Sequence, residues 1–439
     1  MRYLILLGIS LALLVPAPLL DLVGWSYSSE SGSVIFKLHP ATYIFLISTI
    51  WALMREPGSW KILSQPSIAF FIATAILAAA FTFLRSLATG SGGTFSLVVV
   101  TFLTPAFALV PFLQITRDDW RKIGIGVRGF FVLDSLIAIG ERLVGHRLIP
   151  SWIDVFNGEF RASALTGHPL TGAMLTGLMM VHLATARLRG KSFLPRIPEI
   201  ALHSLAILAF GGRTIIVLAP FIITLSAAFP ARRIIGNRFS LIQRFFPLAM
   251  WTSAMILLTL PIPFIQQTLD RFYSQTAQSS SETRLSAFNL LFSLDNHELL
   301  TGVTLERRKI LMDFFNTPLG IEISWIAMIV NMGVFVAIPL LISTFLMLFY
   351  LMRRLERSAF FMILLFIIAS AGSLSIGSKT LLLIDLLVML FALCQTGGSG
   401  RIGVERPLRG DSARDGDALL DALKNANRYS DTYFPPNRP

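Results

Sequence analysis

The side chains that could do group-transfer chemistry in this sequence are seven cations, Arg85, Arg142, Arg147, Arg161, Arg213, Arg284 and Lys379, with Glu322 as a candidate proton acceptor. A planar guanidinium grips two oxygens of a phosphate at once, and the attraction strengthens where water is scarce. A carboxylate near such cations can take the proton of a hydroxyl as a general base. Glu322 has a structural alternative, as a salt-bridge partner of Arg213 or Arg284. His168 and His297 are rival bases. His168 follows Gly167 and precedes Pro169, where a histidine also starts a helix by hydrogen-bonding the backbone. For His297, in a polar turn, plain solvent exposure is favoured. Of the seven cations, Arg85, Arg142, Arg147 and Lys379 stand near the ends of apolar runs. For these the favoured reading is a long side chain snorkelling toward head groups.

Other chemistries lack their residues. There is no P-loop, GxGxxG, HExxH or GxSxG in a suitable setting, so nucleotide-driven pumping and zinc or serine hydrolysis have no support. The six histidines show no metal-ligand spacing, and the single cysteine, Cys394, excludes an internal disulfide or a Cys-based metal cluster. No metal and no cofactor is expected.

The elements that must hold these residues are apolar. Of 439 residues, 54% are hydrophobic and 14% charged, and mean hydropathy is +0.69. Soluble domains carry roughly a quarter charged residues, so the composition is that of a polytopic membrane protein. The net charge of +12 does not point to nucleic acid. From Arg401 onward seven Lys/Arg face six Asp/Glu, and the basic excess lies in short loops between apolar runs. Spanning runs fall near 4–23, 38–54, 67–84, 95–115, 124–141, 165–186, 243–263, 321–351, 357–372 and 376–394. The run 197–229 breaks at Gly211-Gly212 into two, which brings the expectation to about twelve. The first run resembles a signal peptide but lacks a small-x-small cleavage site, so it is expected to remain as a span.

Basic residues orient the spans. Arg55 and Lys61, "RDDWRK" (117–122), "RLRGKSFLPR" (187–196), "ARRIIGNRFSLIQR" (231–244) and "RRLER" (353–357) alternate with loops poor in Lys/Arg. The positive-inside rule then predicts both termini in the cytoplasm and the Gly211-Gly212-Arg213 turn outside. Two outer segments are large, about 142–164 and 264–320. Within the second, 284–294 has apolar residues at helical spacing behind serines suited to capping, which predicts an amphipathic helix on the outer leaflet. The tail 396–439 is Gly-, Arg- and Asp-rich and is expected to be disordered.

Four stretches carry a resemblance. "FRASALTGHPLTGAMLTGLMM" (160–180) resembles the Arg-x-x-Gly-x-x-x-x-Pro segment opening a central span in the O-antigen ligase and polymerase superfamily. "FGGRTIIVLAP" (210–220) is similar to its small-residue–Arg turn. "SETRLSAFNLLFSLDNHELLTGV" (281–303) resembles its loop arginine followed by a glycine-containing stretch. "IEISWIAMIVNMGVFVAIPLL" (321–341) is similar to the segment that opens the span after the large loop, with Glu322 where the family has His and Gly333 eleven residues on. The order of these motifs covers most of 1–395, and length and loop pattern look most like the VpsF-type exopolysaccharide polymerase branch.

That resemblance implies an all-α, GT-C-like polytopic fold of about twelve transmembrane helices, with the large outer loop between helices nine and ten. It implies an inverting, metal-independent glycosyltransferase of the bacterial inner membrane, working at the periplasmic face in exopolysaccharide or O-antigen biosynthesis. The donor would be a glycan on undecaprenyl diphosphate. Arg213 and Arg284, helped by Arg161 and His168, would hold the diphosphate, and Glu322 or a histidine would activate the acceptor hydroxyl on a lipid-linked repeat. A chain-length regulator and a flippase are the protein partners it suggests. An O-antigen ligase, using lipid A core as acceptor, is the nearest alternative. A lipid-linked oligosaccharide flippase is the alternative of another class, although transporters usually place their charges near midplane in paired halves. A transferase using monosaccharide-phosphate lipids would want paired acids in the first outer loop, where Asp21 and Glu30 are not adjacent.

Overall fold

The computed structural model describes residues 1–28, 34–89, 92–150, 160–186, 193–228, 275–315, 317, 320–372 and 376–395. These residues form helices and no strand. In chain order they are α1 (Arg2–Leu14), α2 (Ala17–Leu22), α3 (Pro40–Arg55), α4 (Gly58–Leu63), α5 (Pro66–Thr89) and α6 (Gly93–Val98). A π-helical turn, Val99–Leu103, joins α6 to α7 (Thr104–Gln114). Then come α8 (Arg117–Val144), α9 (Pro169–Thr185), α10 (Ile197–Phe210) and α11 (Arg213–Ala228). The rest are α12 (Gln275–Phe292), α13 (Asn296–Thr301), α14 (Leu305–Phe314), α15 (Ser324–Met332), α16 (Val334–Arg354), α17 (Arg357–Ala371) and α18 (Leu382–Leu393).

Four stretches are long and apolar enough to cross a bilayer: Pro66–Ala88, Gly93–Gln114, Arg117–Val144 and Val334–Arg354. Shorter apolar helices accompany them at Arg2–Leu14, Pro169–Thr185, Arg213–Ser226, Arg357–Ala371 and Leu382–Leu393. The chain is thus a helical protein built for a membrane. The expected run 243–263 and the tail 396–439 lie outside the described residues. Two expected spans are divided. The run 4–23 breaks at Pro16, whose ring lacks the N–H a continuing helix needs. The run 321–351 breaks at Gly333, in the positive-φ region at 77°.

Local chemistry sets several ends. Thr116 accepts from the Asp119 N–H and starts α8, and Gly145 (φ 73°) stops it. His39 and His168 cap α3 and α9, each followed by a proline at the first helical position. Gly211 (φ 71°) ends α10. The centre of the bundle is α9 and α18, mainly apolar and buried on nearly every residue, Asp385 of α18 included, against α8, α10 and α17. Successive helices alternate in direction, so their termini sort into two ends. At the lower end Arg2 pairs with Asp119 at 3.0 Å and Arg357 donates to the Ser226 carbonyl at 2.8 Å. The upper end holds the segments that follow α5, α8 and α10. Above α5 and α16, helices α12 to α15 form a cap with its own core of Ala287, Leu290, Val303, Leu311, Ile326 and Val330.

Candidate functional site

The candidate side chains fall into two clusters at the upper end. The first is built on the segment 160–168 between α8 and α9. Its backbone is held almost group by group. Arg142 donates to the Phe160 carbonyl, and Arg147 Nε to the Arg161 carbonyl at 2.8 Å. The Ala162 N–H donates to the Ala209 carbonyl at 3.2 Å. Glu141 accepts from the N–H groups of Leu148, Ser163 and Ala164 at 2.7, 2.8 and 2.9 Å. Asp134 Oδ1 accepts from Leu165 and Thr166 at 2.8 and 3.3 Å. Both carboxylates are buried on α8, where an unpaired backbone amide or an unpaired acid is costly. The pairing satisfies the loop amides and Asp134 Oδ1, while the buried Asp134 Oδ2 finds no hydrogen-bond partner among the described residues.

This frame puts Arg161, His168 and Arg213 in one neighbourhood. Gly212 packs so tightly on Ala173 of α9 that a Cβ there would collide, so the turn carrying Arg213 sits directly beside the helix that His168 caps. His168 Nδ1 accepts from the Leu170 N–H at 3.2 Å, as the bland reading of this histidine expects. With Nδ1 accepting from the Leu170 N–H, Nε2 carries the ring proton and can donate it to a ligand. Arg213 is half-buried and its side chain makes no hydrogen bond or ion pair with any described residue.

The second cluster contains an ion pair. Arg284, on the amphipathic helix α12, approaches Glu322 ahead of α15, with Nε to Oε2 at 3.5 Å. The expected helix over 284–294 is thus part of a longer one, and it buries Ala287 and Leu290 in the core of the cap. Of the expected trio, the structure joins Arg284 to Glu322. No described contact joins Arg213 to either.

The other four cations neither snorkel nor stand free for a ligand. The Nη groups of Arg85 donate to four carbonyls: Thr301, Gly302 and Val303 at 2.5, 2.9 and 2.5 Å, and Asn331 at 3.3 Å. Lys379 donates to the carbonyls of Tyr27 and, at 3.3 Å, Lys37, and lies 4.0 Å from the centre of the Tyr27 ring. With Arg142 and Arg147 they are clasps for irregular backbone. His297 is exposed, as expected, one residue from a capping box formed by Asp295 and Glu298. Glu298 also pairs with Arg307 at 2.9 Å. Sequence reasoning did not single out Asp134, Glu141 or Arg308, which donates to the Asn331 side chain at 2.7 Å. Among the described residues no group of three or more His, Cys, Asp or Glu is arranged to hold a metal.

Chemically, the upper end offers guanidinium cations on two sides, one carboxylate paired with a cation, and one histidine N–H donor. Such a set can hold an anion and accept a proton. No protein-family model matches this sequence, and no curated protein was found similar to it.

Proposed function

We propose that this chain is a polysaccharide polymerase of the bacterial inner membrane, with both termini in the cytoplasm and its upper end in the periplasm. It transfers a glycan from undecaprenyl diphosphate to the hydroxyl of a lipid-linked acceptor. The observation that carries this reading is the Arg284–Glu322 pair. It brings a diphosphate-binding cation and a proton acceptor together on the two stretches whose sequences resemble the O-antigen polymerase and ligase superfamily. The crowding of basic side chains such as Arg2, Arg117 and Arg357 toward the lower end supports the orientation.

The pair is half exposed, at 46% and 32%, and such pairs contribute only about 0–1 kcal/mol. A diphosphate displaces it readily. Arg284 then turns to the donor's phosphate oxygens, with Arg213 and Arg161 on the other side and His168 donating a hydrogen bond. Glu322, released, takes the acceptor's hydroxyl proton. The acceptor oxygen bonds to the anomeric carbon with inversion as the bond from that carbon to the diphosphate oxygen breaks. The diphosphate leaves with the electron pair, stabilised by the guanidinium cations.

The test is gene deletion followed by complementation with Arg213→Ala, Arg284→Ala and Glu322→Gln, each checked for membrane insertion. Single lipid-linked repeats accumulate and polymer is lost in the deletion, and none of the variants restores it. Normal polymer from the Arg213→Ala and Glu322→Gln chains would overturn the site. Full-length polymer still on carrier lipid in the deletion would make the chain a ligase, and repeats trapped on the inner leaflet a flippase.

A further inference from the structure

A small cavity opens at the upper end where α5, the start of α6 and the cap meet, and it shares no lining residue with either cluster. Among the described residues its wall includes Arg85, Gly93, Thr94, Thr304, Arg308 and Asn331. Its volume is about 30 Å³, and at about 10–15 Å³ per water it takes roughly two or three waters. That is the bulk of one tetrahedral oxyanion entering from outside, and a sugar ring is too large for it.

The charge of the wall selects an anion. Arg85 and Arg308 are cations, and among the described residues no carboxylate lines the cavity. Asp295 and Glu298 line the adjoining groove instead, tied in a capping box and, for Glu298, paired with Arg307. Glu306, in the first turn of α14, is exposed and off the wall. The Nη hydrogens of Arg85 go to carbonyls, so this residue contributes its charge and no contact. Arg308 donates from Nη1 to Asn331 Oδ1 at 2.7 Å. Asn331 is only 7% exposed, and its Nδ2 donates to no described residue. That is costly for a buried donor unless an acceptor enters the cavity.

Two helix starts add donors. The helical stretch Gly93–Gln114 begins behind Gly92, which has no side chain to cap it, so its first N–H groups lack intrahelical partners. α14 begins behind Thr304, whose hydroxyl oxygen accepts from the Arg307 N–H, and the N–H groups of Leu305 and Glu306 open that helix. Both starts favour a negative charge. The cavity also lies at head-group level. Leu77, Phe81 and Leu84 are exposed on one face of α5, where a membrane-spanning helix meets lipid chains, and Arg85 follows directly.

We infer that this cavity seats a phosphate group carried by a lipid of the upper leaflet. Resting on the proposed function, that lipid is the acceptor: one phosphate of its diphosphate sits here, while the arginines of the two clusters hold the donor. Asn331 and Ser324 stand near opposite ends of α15, about 10 Å apart at about 1.5 Å per residue, and Glu322 lies just ahead of Ser324. The acceptor's glycan spans that interval and brings a sugar hydroxyl to Glu322.

The experiment measures amide hydrogen exchange of the full-length chain in dodecyl maltoside, a detergent without phosphate, with decyl phosphate, inorganic phosphate and decyl glucoside as probes. Decyl phosphate at about ten times its dissociation constant slows exchange of the Gly93, Thr94, Leu305 and Glu306 amides about tenfold. Inorganic phosphate needs at least about tenfold more for the same effect, for want of a chain to bury, and decyl glucoside leaves these amides unchanged. Arg308→Gln weakens the decyl phosphate effect roughly tenfold or more, as loss of one charge-assisted hydrogen bond does. Thr94→Asp, a residue that suits a helix start, puts a carboxylate on the wall and weakens it too, with exchange in α18 unchanged as the check on folding. Equal potency of inorganic phosphate would overturn the lipid source. Slowing by decyl glucoside, or indifference to both substitutions, would overturn the site. Absence of slowing together with loss of polymer in Arg213→Ala would condemn the cavity alone. Slowing together with normal polymer from the Arg213→Ala and Glu322→Gln chains would condemn the proposed reaction alone.

Discussion

Replacing Arg85 by methionine keeps the apolar stem and removes the guanidinium, so it isolates the four carbonyl contacts that tie the cap to α5. A hydrogen bond to a charged group contributes about 1.5–3 kcal/mol, but four on one half-buried cation are not additive. Three of the four carbonyls belong to consecutive residues, 301–303, so they loosen together. Roughly 3 kcal/mol is the expected loss, felt as local opening rather than global unfolding. The reporters are the amides of Gly302 and Val303, which donate to the carbonyls of Glu298 and Val330, both at 2.8 Å. Hydrogen–deuterium exchange of the full chain in nanodiscs reads them directly. At about 1.4 kcal/mol per factor of ten, exchange in Arg85→Met accelerates by about a hundredfold at these amides and not in α18. Arg85→Lys recovers less than half of this, since an ammonium is a point charge and cannot fork to four acceptors. A change of less than about threefold in Arg85→Met would mean that the clasp contributes little and that the capped core of Val303 and Val330 holds the segment unaided.

A further outcome follows from the same geometry. Gly333→Ala puts a Cβ against the Leu300 carbonyl at a φ of 77°. A backbone at φ 77° and ψ 163° is nearly confined to glycine and costs another residue about 1–3 kcal/mol, so the thermal midpoint of the purified protein falls. Gly129→Ala, in open space on α8, leaves the midpoint unchanged or raises it, and equal midpoints for the two variants would refute the argument.

Hydropathy and helix signals made the apolar helices legible, together with the proline-led start at His168 and the glycine stop at Gly211. They hid the breaks at Pro16 and Gly333 and the π turn at Val99–Leu103, because averaging apolarity over a window is blind to backbone conformation. The supports of the first cluster were hidden for a different reason. Asp134 and Glu141 bond to backbone N–H groups as many as 32 residues away, and a backbone amide leaves no mark in residue type. The same holds for Arg85, whose acceptors lie more than two hundred residues on. Residue type alone therefore offered seven similar cations. The fold sorts them by what their charge already does. Arg85, Arg142, Arg147 and Lys379 are committed to carbonyls, and among the described residues Arg284 forms a half-exposed pair that an anion can displace. Arg213 meets no partner among the described residues, yet it is fixed by a glycine turn that tolerates no Cβ against Ala173. Rigid backbone under an uncommitted charge is a costly arrangement for the fold and a useful one for a ligand. That contrast, more than the charge itself, singles out Arg213 and Arg284 from the four clasps.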